Sequence, residues 1–256
     1  MRMLLKSALP ATFVLLALGI ATGLPGQFRP NNESAQFVPF VSHEREVAFS
    51  AEGAITEIQD RSYARRRDGS SYSKFTFTWV NGASEAGDSG LVVIWDLARH
   101  AVIAIDGTTQ SVTTTYLSPA RVSSHLGEEH ACANVERRNL VTSTIGSILG
   151  YNVSEEAESA SDENWRRWDA KNLDCYPLKE KTEFLDADGG WIEDSVLDLR
   201  EGDPPEALFE VPADYTERSP EQVEAAHRAK FHGNEYYGAD VTAKLEQQYE
   251  EGQKYK

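Results

Sequence analysis

Three strings in this chain carry residue types that could do chemistry. In HLGEEHAC, His125, His130 and Cys132 fall within eight residues. A zinc protease of the inverted type needs H-x-x-E-H, which sets both imidazoles on one helical face; here the spacing is H-x-x-x-E-H, one residue too long. His43-Glu44 opens an H-E-x-x-H pattern, but Val47 stands at the second histidine position. Asp186 and Asp188 in DADGG begin like a calcium loop, yet Gly190 stands where a third ligand is needed and Trp191 where the loop requires glycine. No G-x-S-x-G elbow, G-x-G-x-x-G turn or phosphate loop occurs. The chain therefore reads as non-enzymatic, with no catalytic residue, metal site or cofactor expected.

What remains is chemistry of binding. Arg65, Arg66 and Arg67 form a basic spot in an acidic chain and suit an anionic group such as a lipid headgroup. The alternative is an edge strand protected by charge. Phe75, Phe77 and Trp79 alternate with Lys74, Thr76 and Thr78, so the aromatic three share one strand face. Together with Val93 and Trp95 they are the expected lining of an apolar ligand site; the alternative is that they form the core. Trp165 and Trp168 precede Cys175 and are expected to cap a core. Asn32 and Asn152 head glycosylation sequons, which matter only in a glycosylating host.

These residues must be positioned mainly by strands. Segments 55–67 and 71–80 flank Asp68-Gly69, and 101–105 and 111–117 flank Asp106-Gly107; both dipeptides signal two-residue hairpins. Residues 91–95 are almost wholly apolar, as in a strand buried on both faces. Residues 118–138 read as irregular or partly helical, 140–153 as a strand pair with glycine turns, and 154–164 as an exposed acidic loop. Segments 176–185 and 191–199 make a further hairpin, and the proline-rich 202–212 closes the sheet. Ser219-Pro220-Glu221-Gln222 is a helix start with cap, first-turn proline and capping-box glutamine. A second helix then spaces Tyr237, Val241, Leu245 and Tyr249 four apart, one stripe that docks on its own domain or on a partner.

The ends and the charge set the compartment. Arg2 and Lys6 flank an apolar run over 8–24, 17 residues, followed by small residues near Gly23. This is the anatomy of an export signal, or of an uncleaved N-terminal anchor. Removing residues 1–24 moves the formal charge from −16 to −18, which disfavours nucleic acid and anionic lipid surfaces. An exported chain with two cysteines is expected to bond Cys132 to Cys175, which stabilises by about 4 kcal/mol in the chain-entropy model.

The strings DGSSYSKF, VVIWDLARHAVIAID, ILGY, NLDCYPLK and EGDPPEALFEVPADYTERSP, spread over 55–220, resemble uncharacterised exported proteins of Acidobacteria-type soil bacteria. Those are similar in turn to periplasmic lipoprotein-carrier-like (LolA-like) half-barrels. The resemblance implies a curved antiparallel sheet that encloses an apolar ligand surface, and no catalytic residue. The expected organisation is a leader over 1–24, a linker over 25–36, a mainly β domain with a half-barrel-like meander over 37–216, and a helical tail over 217–256. The expected function is an exported, non-enzymatic envelope protein, periplasmic or extracellular, that binds a lipid or a lipidated chain. The alternative is an envelope scaffold that binds a protein partner through Tyr237, Val241, Leu245 and Tyr249. A hydrolase with an unrecognised site is a third reading.

Overall fold

The computed structural model describes residues 36–79, 90–129, 143–159, 163–185, 189–231 and 239–256. They form a mainly β protein built on one open twelve-stranded sheet, with helices at the C-terminus. The strands are β1 (Phe40–Phe49), β2 (Ile55–Arg65), β3 (Ser71–Trp79), β4 (Leu91–Asp96), β5 (Ala101–Asp106), β6 (Ser111–Tyr116), β7 (Ser143–Ile148), β8 (Tyr151–Ser159), β9 (Glu163–Ala170), β10 (Tyr176–Phe184), β11 (Trp191–Glu201) and β12 (Thr216–Glu217). Their order is β12-β6-β5-β4-β3-β2-β1-β11-β10-β9-β8-β7. The first six strands make one antiparallel meander and β7 to β11 a second, and pairing of β1 with β11 joins them. Among the described strands β12 alone pairs in parallel, along β6.

The hairpin tips differ from the two-residue turns expected. Residues 66–70 join β2 to β3, and 107–110 join β5 to β6. The aspartates lengthen both loops by folding back over them. Asp68 Oδ1 accepts from the Ser70 amide at 2.8 Å, and Asp106 Oδ1 from the Thr108 amide at 2.8 Å. Gly69 takes φ +85°, and a Cβ there would come 2.7 Å from the Phe37 ring.

Two further expectations are corrected. β2 lies between β1 and β3, inside the sheet, so the arginine run does not guard an edge. Residues 154–159 and 163–164 are strand and not loop: the acidic run continues β8 to Ser159, because β9 brings arginines opposite it, with Glu156 facing Arg167 and Ala157 facing Arg166. Buried Glu156 lies 3.6 Å from the Arg167 guanidinium. Residues 202–212 contribute no strand; Leu208, Phe209 and Val211 lie on one face of the first meander against Ala64, Ile94, Ile103 and Val112.

The opposite face of that meander is covered by helices α1 (Pro119–Glu129), α2 (Pro220–Lys230) and α3 (Ala239–Gly252). Ser219 and Gln222 form the capping box that starts α2. Val223 of α2 and Val241 and Leu245 of α3 are buried. The tail stripe thus packs within the chain at Val241 and Leu245, Tyr249 is half-buried, and Tyr237 lies outside the described residues. None of the described helices is long and apolar enough to cross a membrane. The leader, His130, Cys132, Asp186 and Asp188 lie outside the described residues.

Candidate functional site

Antiparallel register sorts the side chains onto two faces, because directly paired residues point the same way. On the helix-covered face, Val93 pairs with Ala104 and Ala104 with Thr113, while Trp95 pairs with Val102 and Val102 with Thr115. Short side chains at 104 and 113 leave depth beneath the helices. The result is a cavity of about 230 Å³ between β4–β6 and the tail, walled by Leu91, Val93, Val102, Leu117, Val223 and Leu245. Asp106, Arg121, Glu251 and Lys254 supply charge on its lining. The tail is held close by Gly252, where a Cβ would come 2.6 Å from the Tyr116 carbonyl oxygen.

The expected lining residues distribute unevenly. Phe75, Val93 and Trp95 are buried in one cluster with Leu91, Val102, Leu117 and Val122 of α1. Val93 lines the cavity. Trp95 is covered by the His125 ring, stacked on it at 4.0 Å and 7°. His125 is therefore a packing residue of α1. Phe75 faces a second cavity instead. Phe77 and Trp79 complete the backbone of β3, and their side chains lie outside the described residues.

Each arginine of the run faces an acid of this chain. Arg65 is fully buried; its Nη2 donates to Asp174 at 2.8 Å and to the carbonyls of Val38 and Leu173. Its guanidinium also lies over the rings of Phe37, Phe40 and Tyr176. Arg66 lies 3.7 Å over the Phe209 ring and donates to Glu206 at 2.7 Å, and Arg67 donates to Asp203 at 3.0 Å. Trp165 and Trp168 sit on β9 beneath the cations Arg167 and Lys179. His43 points away from Glu44, toward Asp60 and Asp198, so no H-E pair converges. No group of three His, Cys, Asp or Glu among the described residues could hold a metal ion.

The second cavity was not anticipated. It also measures about 230 Å³ and opens where the two meanders join. Four carboxyls line it: Glu44 and Glu46 of β1, Glu180 of β10 and Asp194 of β11. Glu44 is the saturated member, accepting from Arg61, from Ser42 Oγ and from the Tyr176 hydroxyl. Glu46 faces Asp194 across the β1–β11 pairing. Burial, reinforced by Asp194 and Glu57, pushes Glu46 up to about 9. Burial raises Asp194 to about 6, against the pull of Arg61, and burial raises Glu180 as well. The sequence signal was alternation in SHEREV, which puts Ser42, Glu44 and Glu46 on one face. The strands that close the site lie some 150 residues away, beyond any local pattern.

No family model and no curated protein matches the chain. Among solved structures it is similar to MucB, at 14% identity and a TM-score of 0.36, over 72% of this chain and 60% of MucB. It is similar to PNGF-II at 12% identity and 0.35, over 72% of this chain and 32% of that one. The chain thus spans less than two thirds of the length of either. A LolA superfamily protein from Nitrosomonas europaea matches at 12% and 0.31, over 68% of this chain and 90% of that chain. At such scores the likeness is loose, and the strand order itself defines the architecture.

Proposed function

We propose that this chain is an exported, non-enzymatic envelope protein that holds an apolar chain, such as a lipid acyl tail, between its sheet and its C-terminal helices. The observation that supports this reading is the mainly apolar cavity of about 230 Å³ under α2 and α3. Ligand sites for whole drug-sized molecules measure roughly 300–1,000 Å³, so this one suits a segment of an acyl chain. Binding there needs no covalent step: burying apolar surface supplies about 0.8 kcal/mol per methylene. Lys254 on the lining, beside Glu251, suits the polar end of such a ligand. The leader over 1–24 and a Cys132–Cys175 bond belong to the same reading, as features of a protein that works outside the cytoplasm. The arginine run contributes to folding in this reading, since each member faces an internal acid. A scaffold role for the tail retains its outward residues, Tyr255 foremost.

The test is organic extraction of the purified protein followed by mass spectrometry, with uptake of a fluorescent fatty acyl probe. The reading expects a co-purifying lipid or saturable uptake, and loss of both in Ala104→Phe, which fills the cavity from its floor. A protein that carries no lipid and takes up no probe overturns it.

A further inference from the structure

The acidic cavity between the two meanders holds more acceptors than the chain satisfies. Its charged wall is Glu44, Glu46, Glu180 and Asp194 against Arg61 and Lys179. Arg61 is engaged by Glu44, and the Lys179 ammonium lies 5.5 Å over the Trp168 ring. Among the described residues Glu46, Asp194 and Glu180 therefore form no ion pair of their own, and only the more distant charges of Arg61 and Arg167 act on them. Gln59 is the independent observation. It lies on the wall of this cavity, is only 5% exposed, and its Oε1 accepts no hydrogen bond among the described residues. A buried acceptor left without a donor is unfavourable, and in a native fold it marks a missing partner.

The pairing register makes these acceptors a row. Gln59 of β2 faces Glu46 of β1, and Glu46 faces Asp194 of β11. Directly opposed residues in an antiparallel sheet hold their Cβ atoms about 5 Å apart. Three acceptors from three adjacent strands thus stand side by side on the cavity wall, and a primary ammonium group carries three N–H donors. Phe75, Leu178 and Val196 on the same wall provide apolar surface for a short aliphatic body. The described carboxylates do not form a metal-holding group, which points away from a bare divalent ion.

We propose that this cavity is a binding site for a primary alkylammonium group, received by Gln59, Glu46 and Asp194. It is distinct from the aliphatic cavity under the tail and stands or falls independently of that one. The experiment is isothermal titration of the full-length protein with n-butylammonium, tetramethylammonium and calcium, at neutral pH and low salt. Saturable binding of butylammonium is expected, with at least about tenfold weaker binding in Gln59→Leu and in Asp194→Asn. Tetramethylammonium offers no N–H donor and should not compete. Circular dichroism confirms that each variant is folded, and binding is read from whichever folds. Tighter binding of a short-chain phosphatidylethanolamine than of butylammonium assigns the group to a lipid headgroup; the reverse order assigns it to a free amine. Failure of butylammonium to bind, equal binding of tetramethylammonium or calcium, or unchanged affinity in both variants overturns the proposal.

Discussion

Arg65 and Asp174 are 109 residues apart in sequence and 2.8 Å apart in space. Asp174 also accepts the Val38 amide at 3.0 Å, so one carboxylate ties the start of the first meander to the turn before β10. With Arg65 fully buried among Phe37, Phe40 and Tyr176, the pair fastens the two meanders. Removing one partner of a buried pair leaves the other uncompensated and costs about 3–5 kcal/mol. Arg65→Met is expected to lower the unfolding free energy by that amount in urea titration. Arg67→Met, whose partner Asp203 is exposed, should change it by less than about 1 kcal/mol.

The Glu46–Asp194 pair predicts how stability depends on pH. Glu46 titrates near 9 in the fold and in the ordinary glutamate range when unfolded, so between those values the folded state binds the extra proton. Stability from this group is fully present below about pH 4.5 and is lost as the pH rises toward 9, with a slope of about 1.4 kcal/mol per pH unit at most. Asp194, raised to about 6, adds in the same direction over the lower part of that range. Urea midpoints between pH 5 and 9 should decline, and Glu46→Gln should flatten the decline. A rising or flat profile in the parent protein contradicts the buried acid pair.

Gly252 predicts a sign that helix propensity alone gets wrong. In a helix interior, alanine is favoured over glycine by about 1 kcal/mol. Here the added methyl would meet Tyr116 backbone atoms at 2.6 and 2.9 Å, which cannot swing aside. Gly252→Ala is expected to destabilise by about 1–3 kcal/mol and to weaken uptake of an acyl probe, because the wall of the aliphatic cavity must shift. Stabilisation by the substitution would show that α3 does not seat on β6.

The proposed Cys132–Cys175 bond is checked by mass spectrometry of tryptic peptides under non-reducing conditions. Cys175 is buried beside the core, with Leu173 and Tyr176 as neighbours in the chain. A linked peptide pair is expected, and Cys132→Ser should lower stability by about 4 kcal/mol. Two alkylatable thiols in protein isolated from the envelope contradict it.

The strands were legible in the sequence where local pattern and turn chemistry agreed. Phe75 and Thr76 alternate as β3 requires, and Ser219 with Gln222 announced α2. The acidic run at 154–159 misled because its strand character depends on Arg166 and Arg167 arriving opposite it, a tertiary effect. The arginine run misled likewise: a buried arginine looks like a surface one until Asp174 is brought to it. Phe75, Val93 and Trp95 share one buried cluster, but alternation names the face of a strand and not what covers it. Helix α1 covers Trp95, and the tail leaves Val93 open to a cavity. The second cavity was illegible because its walls come from both meanders.

The central claim is that the space beneath α2 and α3 holds an aliphatic chain, and a chain-length series of saturated fatty acids titrated into delipidated protein tests it most directly. Each added methylene should tighten binding about fourfold, the equivalent of 0.8 kcal/mol. The gain should level off once the chain fills the cavity. Affinity that is independent of chain length, or equal in Ala104→Phe and the parent protein, would contradict the account.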